Sequence, residues 1–241
     1  ITDNTPKFKS LSIERADAVI CISENTKQDL MRILGTPENK ISVVHLGFDK
    51  FVSKNYEDFN ENFVERPFLL YVGNRNGYKN FTSLLKAVAS SSRLLADFDI
   101  ISFGGPKFSS SEQRLFKSLG YSLNQVKHKH GSDVALGFFY SRATAFVYPS
   151  LYEGFGIPPF EAMAHRCPVI CSNASSIPEV VGLAGSYFDP TDIDEMKVAI
   201  ENVVYSPSRT SQLRNLGSDQ INLFSWQKCA QETLDIYRTL V

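Results

Sequence analysis

The sequence has 241 residues, which is longer than one average domain and short for two complete nucleotide-binding domains. Its 43% apolar content is enough for a sizeable core, and its formal net charge of −1 gives no sign of a surface for nucleic acid or of a polybasic membrane contact. No apolar run approaches the ~20 residues that span a bilayer, and the four cysteines form no Cys-x-x-Cys pair. We therefore expect a soluble, cytoplasmic protein with buried free thiols and no nucleic-acid partner.

The first part of the chain predicts a short α/β segment. Residues 1–13 have no periodic pattern and begin abruptly, as if cut from something larger. The predicted elements after them are a strand over residues 16–22, a helix over residues 26–34 between Ser23 and Gly35, a strand over residues 41–46 and a linker over residues 50–66.

The rest of the chain alternates between apolar runs and helix-length segments. Six of these runs predict strands, over residues 68–72, 98–103, 125–130, 143–148, 168–171 and 186–188. Such alternation is typical of a parallel α/β sheet, and we expect the Rossmann-like, doubly wound order 3-2-1-4-5-6. In that order the first and fourth strands are neighbours where the winding reverses, and ligands bind there.

The loop that leaves the fourth predicted strand has a composition suited to binding. Gly154 and Gly156 flank Phe155, where the backbone turns sharply or approaches a ligand closely, and two prolines then preset the first turn of a helix. The amides of Gly156 and Ile157 lie near the start of this helix, whose partial positive charge favours an anion such as a phosphate.

Two glutamates accompany that loop. Glu153 lies in the loop and Glu161 in the following helix, so both carboxylates are expected to face the space above the end of the strand. Hydroxyls for the carboxylates and phosphate for the amides together describe a nucleotide sugar. From the residues alone, the alternative is that Glu161 only complements the helix dipole and that Glu153 is a solvated loop residue.

The loop after the first predicted strand faces these glutamates. Its residues 73–79 include Arg75 and Lys79, which the strand order brings opposite the two carboxylates. The loop matches neither the dinucleotide fingerprint nor a P-loop, which argues against both enzyme classes. Gly73 and Gly104, at the ends of the first two strands, would allow the backbone to approach a ligand closely. The alternatives are that Arg75 and Lys79 are solvated cations and that the glycines only form a turn.

Two other patterns resemble metal sites only superficially. His128 and His130 alternate onto one face of a strand, but no third ligand is evident, so a solvated strand edge is the better interpretation. Asp192 and Asp194 form an Asp-x-Asp pair that opens a predicted helix, where acidic residues suit the dipole. We therefore expect no metal site.

The segment from Pro149 to Ala164 resembles the Glu-x7-Glu motif of the retaining glycosyltransferases of family four, which have the GT-B architecture. The match includes Pro149-Ser150 before the first glutamate and Ala162-Met163-Ala164 after the second. The resemblance implies that Glu161 binds the ribose of the donor. It implies that the donor sugar is bound by Glu153 with Gly154, Phe155 and Gly156.

The same resemblance implies roles for the facing loop. Lys79 and Arg75 would neutralise the pyrophosphate and stabilise the departing nucleoside diphosphate. The spacing between the two cations differs from that in many members of the family, which puts the role of Arg75 in doubt.

For the whole chain, the resemblance implies a metal-independent retaining hexosyltransferase with a nucleotide-sugar donor and a glycan or lipid-linked acceptor. The expected reaction transfers mannose from GDP-mannose to a bacterial surface polysaccharide. Residues 1–49 would be the tail of an N-terminal acceptor domain, which could attach peripherally to the membrane, and residues 67–241 the donor-binding domain. Without the rest of that first domain, the chain is expected to bind donor but not to transfer sugar. The alternatives are a GT-B epimerase or phosphorylase and a non-catalytic nucleotide-sugar-binding module.

Overall fold

The structure, a computed structural model, describes residues 5–49, 66–75 and 77–240. The chain divides into two compact units, one of Ile1–Asp49 with Leu223–Val241 and one of Lys50–Asn222. The predicted linker lies outside the described residues except for Arg66. The predicted boundaries of the acceptor and donor domains stay predictions.

The smaller unit opens with α1 (Thr5–Arg15), β1 (Val19–Cys21), α2 (Glu24–Leu34) and β2 (Ile41–Val43), and its two strands pair in parallel. The second helix has the predicted ends, since the Ser23 hydroxyl accepts from the Thr26 amide and Gly35 closes the helix with a φ of 64°. The first helix, α1, forms where the sequence shows no periodic pattern. Large apolar residues are too sparse in α1 to give a clear helical period.

The larger unit contains six parallel strands. They are β3 (Phe68–Val72), β4 (Asp99–Phe103), β5 (Val126–Lys129), β6 (Ala145–Tyr148), β7 (Val169–Ser172) and β8 (Gly185–Phe188). Their order in the sheet is β5-β4-β3-β6-β7-β8, with parallel pairing throughout. This confirms the predicted doubly wound order, and each strand agrees with its predicted limits to within a residue or two.

Eight helices of the larger unit lie among the described residues. They are α3 (Phe81–Ala89), α4 (Ser92–Asp97), α5 (Ser110–Ser118), α6 (Asp133–Arg142), α7 (Ile157–Ala164), α8 (Ile177–Val181), α9 (Ile193–Val204) and α10 (Pro207–Gln220). The central strands are apolar along their whole length because a parallel sheet is covered on both faces, and Leu69, Leu70 and Phe146 are fully buried. Asp192 caps α9 by accepting from the amides of Asp194 and Glu195, which confirms the predicted helix start.

The last helix, α11 (Trp226–Arg238), belongs to the smaller unit and begins where predicted, after its N-cap Ser225. Gly47 lies directly against it, because a Cβ at that position would be 2.1 Å from the Trp226 nitrogen. All four cysteines are free, as expected, and three of them are buried. None of the helices in the described part of the chain combines the length and apolar character needed to cross a bilayer.

Candidate functional site

Two loops meet where the winding of the sheet reverses. One leaves β3 and the other leaves β6, and these strands are direct neighbours. The Leu151 amide donates to the Tyr78 carbonyl at 2.7 Å, and the Asn80 side-chain amide donates to the Pro149 carbonyl at 3.0 Å. The Tyr71 hydroxyl, at the end of β3, donates to the Asn74 carbonyl. The loops are therefore held together by hydrogen bonds to backbone carbonyls.

Lys79 and Glu153 form an ion pair across these two loops. The distance from Lys79 Nζ to Glu153 Oε1 is 2.7 Å, and the side chains are 19% and 12% exposed. The backbone of Glu153 is fixed by the loop after β7, because its amide donates to the Ser175 hydroxyl and its carbonyl accepts from the Ser176 hydroxyl, both at 2.8 Å. The structure thus brings together one of the predicted cations and one of the predicted carboxylates in a partly buried place.

The start of α7 offers backbone amides beside this pair. Its N-cap, Gly156, has a φ of 108° and no side chain to cap the helix. Pro158 and Pro159 have no N–H group, so the amides left for an acceptor in the first turn are those of Gly156 and Ile157. Phe155 is buried and packs on Phe160 with ring centroids 5.7 Å apart, which anchors the loop. Gly154 precedes it and is partly buried.

Glu161 lies in the middle of α7 with its carboxylate against a buried tyrosine. The Tyr140 hydroxyl donates to Glu161 Oε2 at 3.1 Å, and the Tyr140 ring stacks on His165 with centroids 5.8 Å apart. Burial raises the pKa of Glu161 and the charge of Asp133 adds to this, while the Tyr140 hydrogen bond works against it. A desolvated carboxylate with a fixed orientation is suited to accept hydrogen bonds from ligand hydroxyls.

Arg75 has a different set of contacts from the one expected. Its Nε donates to Glu112 at 2.7 Å and its Nη2 to the Pro106 carbonyl at 2.6 Å, and its guanidinium lies 4.6 Å from the centre of the Phe108 ring. Burial alone would raise the pKa of Glu112, but hydrogen bonds from Arg75 and Ser109 hold it below its usual range. The side chain of Arg75 is only 3% exposed, and it pairs with Glu112 of α5. Of the two cations expected to face Glu153, Lys79 does so and Arg75 does not.

Gly73 and Gly104 leave bare backbone at the ends of β3 and β4. Their φ angles are 120° and 86°, in the region that favours glycine. They are adjacent, since a Cβ on Gly104 would be 3.8 Å from the Gly73 nitrogen, whereas among the described residues a Cβ on Gly73 would meet nothing within 4 Å. Within the described part of the chain, the backbone at Gly73 is therefore accessible for the close approach of a ligand, and the binding role of Gly73 stays a prediction.

His128 in β5 and His130, which follows that strand, lie near each other. His128 Nε2 lies 3.2 Å and 3.0 Å from the carbonyl oxygens of Gly104 and Gly105, and its ring centroid is 5.9 Å from that of His130. Across the described ranges, no cluster of three or more His, Cys, Asp or Glu side chains could hold a metal ion.

Several residues of this site were not predicted from the sequence. Ser175 accepts from the Glu153 amide, Tyr140 orients Glu161, and the ring of Tyr148 lies 5.5 Å from Lys79 Nζ. Tyr148 could have been predicted to line the site, because the hydroxyl of a tyrosine at the end of an apolar strand usually contacts a polar group. Together these residues offer one cation, two carboxylates and two backbone amides, which are groups that suit a ligand with an anionic centre and hydroxyls.

Comparisons with known proteins identify the family of this chain. The family model described as Glycosyl transferases group 1 matches residues 53–219, and the model described as Glycosyltransferase Family 4 matches residues 5–50. O-antigen chain mannosyltransferase B of Escherichia coli is 27% identical over 246 residues, which cover 95% of this chain and 62% of that protein. O-antigen chain mannosyltransferase RfbU of Salmonella typhimurium is 33% identical, over 85% of this chain and 56% of that protein. The chain thus spans less than two thirds of the length of these relatives.

Solved structures share the fold. Sucrose-phosphate synthase from Thermosynechococcus elongatus aligns with a TM-score of 0.79 at 26% identity, covering 97% of this chain and 61% of that one. HepE from Anabaena, solved in complex with UDP and glucose, aligns with a TM-score of 0.83 at 18% identity, covering 99% and 68%.

Proposed function

Because the chain belongs to the family of glycosyl transferases group 1 and has a fold of the GT-B type, we propose that it binds a nucleoside diphosphate sugar and takes part in transferring that sugar, with retention of configuration, to an acceptor hydroxyl. The observation that carries the proposal is the Lys79–Glu153 pair, 2.7 Å apart, beside the open start of α7 at the winding reversal. A cation, two amides and a carboxylate at one point match a diphosphate joined to a sugar.

The diphosphate binds to the positive groups of the site. Lys79 supplies a full charge, and the amides of Gly156 and Ile157 supply the partial charge of a helix start. When the bond between sugar and phosphate breaks, negative charge develops on the leaving phosphate oxygen, and groups already in place stabilise it without reorganisation. These groups require no divalent metal, so a chelator is expected to leave donor binding unchanged.

The two carboxylates bind hydroxyl groups on either side of the diphosphate. Glu153 accepts hydrogen bonds from hydroxyls of the sugar, while the Lys79 ammonium group turns from Glu153 to the phosphates. Glu161 accepts from the ribose. Its desolvation strengthens such hydrogen bonds, since they form in a medium of lower dielectric constant than water.

The names of the relatives support a particular sugar. Both O-antigen relatives are mannosyltransferases, as is the MMP alpha-(1->4)-mannosyltransferase of Mycolicibacterium hassiacum, which is 28% identical over 92% of the chain. We therefore propose mannose from GDP-mannose as the donor and a glycan or lipid-linked acceptor of bacterial surface polysaccharide synthesis. We propose that the reaction takes place in the cytoplasm, where the enzyme meets lipid-linked acceptors at the inner face of the membrane.

A thermal-shift screen tests donor binding directly. The chain is titrated with GDP-mannose, UDP-glucose and ADP-glucose, with and without EDTA, and the unfolding temperature is followed. We expect GDP-mannose to give the largest increase, and the same increase with EDTA. No increase with any nucleotide sugar would overturn the proposed function.

A product analysis tests the stereochemistry. GDP-mannose and a panel of mannosyl acceptors are incubated with the protein, from which we expect transfer only if a complete acceptor domain is supplied, and the anomeric configuration of any disaccharide formed is read by NMR. A product that keeps the α configuration of the donor supports retention, whereas a β product contradicts it.

A further inference from the structure

A buried hydroxyl lies at the carboxyl end of β6, directly under the candidate site. Tyr148 is 1% exposed, and within the described part of the chain its Oη has no hydrogen-bond partner. Buried polar side-chain atoms are nearly always hydrogen-bonded in native proteins, so each exception requires an explanation. Folding stability gives none here, because a phenylalanine would fill the same space without the unpaired oxygen.

The ring of Tyr148 forms the floor between the main groups of the site. Lys79 Nζ lies 5.5 Å from the ring centroid. On the side of α7, a Cβ on Gly156 would be 3.6 Å from Tyr148 Cε1 and 3.8 Å from its Oη. Burial raises the pKa of Tyr148, followed by the charge of Glu153 and a weak hydrogen-bonding interaction with its carboxylate, so the phenol stays protonated at neutral pH and faces Glu153 without a hydrogen bond of normal geometry.

Binding of a diphosphate changes which group donates a hydrogen bond to the Glu153 carboxylate. In the ligand-free structure its carboxylate is neutralised by Lys79 at 2.7 Å. A phosphate competes for the same ammonium group, and a carboxylate that is only 12% exposed must then find another donor. The contacts to Ser175 and Ser176 involve the backbone of Glu153 and leave its carboxylate unaffected.

We propose that Tyr148 is a positioning residue for Glu153, whose carboxylate takes the Tyr148 hydroxyl as its donor once the phosphates have drawn Lys79 away and the donor sugar has displaced water from the carboxylate, and is thereby held against that sugar. With GDP alone, water remains as the donor to Glu153. This inference rests on the proposed function. The hydroxyl is unpaired in the ligand-free state and becomes paired in the complex, so it contributes to binding of the sugar and not to folding.

The test compares Tyr148→Phe with Tyr121→Phe, which removes a buried hydroxyl that donates to the Leu85 carbonyl at 2.7 Å, in the core. Calorimetry gives Kd for GDP-mannose and for GDP with each protein, and thermal unfolding is measured without ligand. For Tyr148→Phe we expect the preference for GDP-mannose over GDP to fall about tenfold, with Kd for GDP within twofold and no decrease in Tm. Tyr121→Phe should lower Tm and leave the preference unchanged.

Each remaining outcome is decisive. A full sugar preference in Tyr148→Phe, an equal loss of affinity for both ligands, or a fall in ligand-free Tm like that of Tyr121→Phe would overturn the inference alone. A wild-type protein that binds GDP and GDP-mannose equally would overturn the proposed sugar site and this inference with it.

Discussion

Removing the cation of the Lys79–Glu153 pair should cost measurable stability. Exposed ion pairs contribute about 0–1 kcal/mol, whereas removing one partner of a fully buried pair costs about 3–5 kcal/mol. This pair lies between these limits, because its side chains are 19% and 12% exposed and its charged atoms are 2.7 Å apart. We therefore expect Lys79→Met to lower the free energy of unfolding by about 1–3 kcal/mol.

A double-mutant cycle isolates the interaction. Urea denaturation at pH 7 is measured for the wild type, Lys79→Met, Glu153→Gln and the double variant, with Lys86→Met on the exposed face of α3 as the matched control. The double variant should be more stable than the sum of the single effects predicts, by about 1–2 kcal/mol, because neither charge is left alone. Additive single effects, or a loss in Lys79→Met no larger than in Lys86→Met, would refute the reasoning.

Two other predictions concern the remaining charged residues of the site. Burial raises the pKa of Glu161, so the folded state favours the protonated carboxyl group. The stability that this group contributes is fully present below the usual glutamate pKa and is lost as the pH rises through the raised value. Glu161→Gln should therefore raise Tm at pH 7 and change it little at pH 4, and a lower Tm at pH 7 would contradict this. Arg75→Ala should lower the free energy of unfolding in urea by about 2–4 kcal/mol through the lost ion pair and packing, with Arg75→Lys recovering less than half because it cannot contact Glu112 and the Pro106 carbonyl together; a loss below about 0.5 kcal/mol, typical of surface substitutions, would contradict it.

The sheet order and the position of the site follow from features that are local in the sequence. Alternation of apolar runs with helical segments predicts a parallel sheet, and the loop from Pro149 to Ile157 combines strand end, glycines and prolines within a few residues. The prediction that Lys79 lies opposite Glu153 needed only the strand order, since the two residues lie in the loops that follow neighbouring strands.

Partners that are distant in the sequence could not be predicted in this way. Ser109 and Glu112 form a recognisable capping box for α5, but nothing in that pattern shows that the other carboxylate oxygen of Glu112 accepts from Arg75, 37 residues away. Tyr140 likewise shows only the pattern of a buried helix, and its hydrogen bond to Glu161 depends on how α6 packs beside α7. Such contacts depend on tertiary packing, which local sequence patterns do not determine.

The central claim is that phosphates bind beside Lys79, and calorimetry with GDP and guanosine tests it most directly. Both ligands are titrated into the wild type and into Lys79→Met, with UDP and uridine in parallel. One desolvated, charge-assisted contact predicts that Lys79→Met weakens the nucleoside diphosphate by about 10- to 100-fold and leaves the nucleoside within about twofold. Equal affinities of diphosphate and nucleoside for the wild-type protein, or an equal loss of both in the variant, would contradict the account.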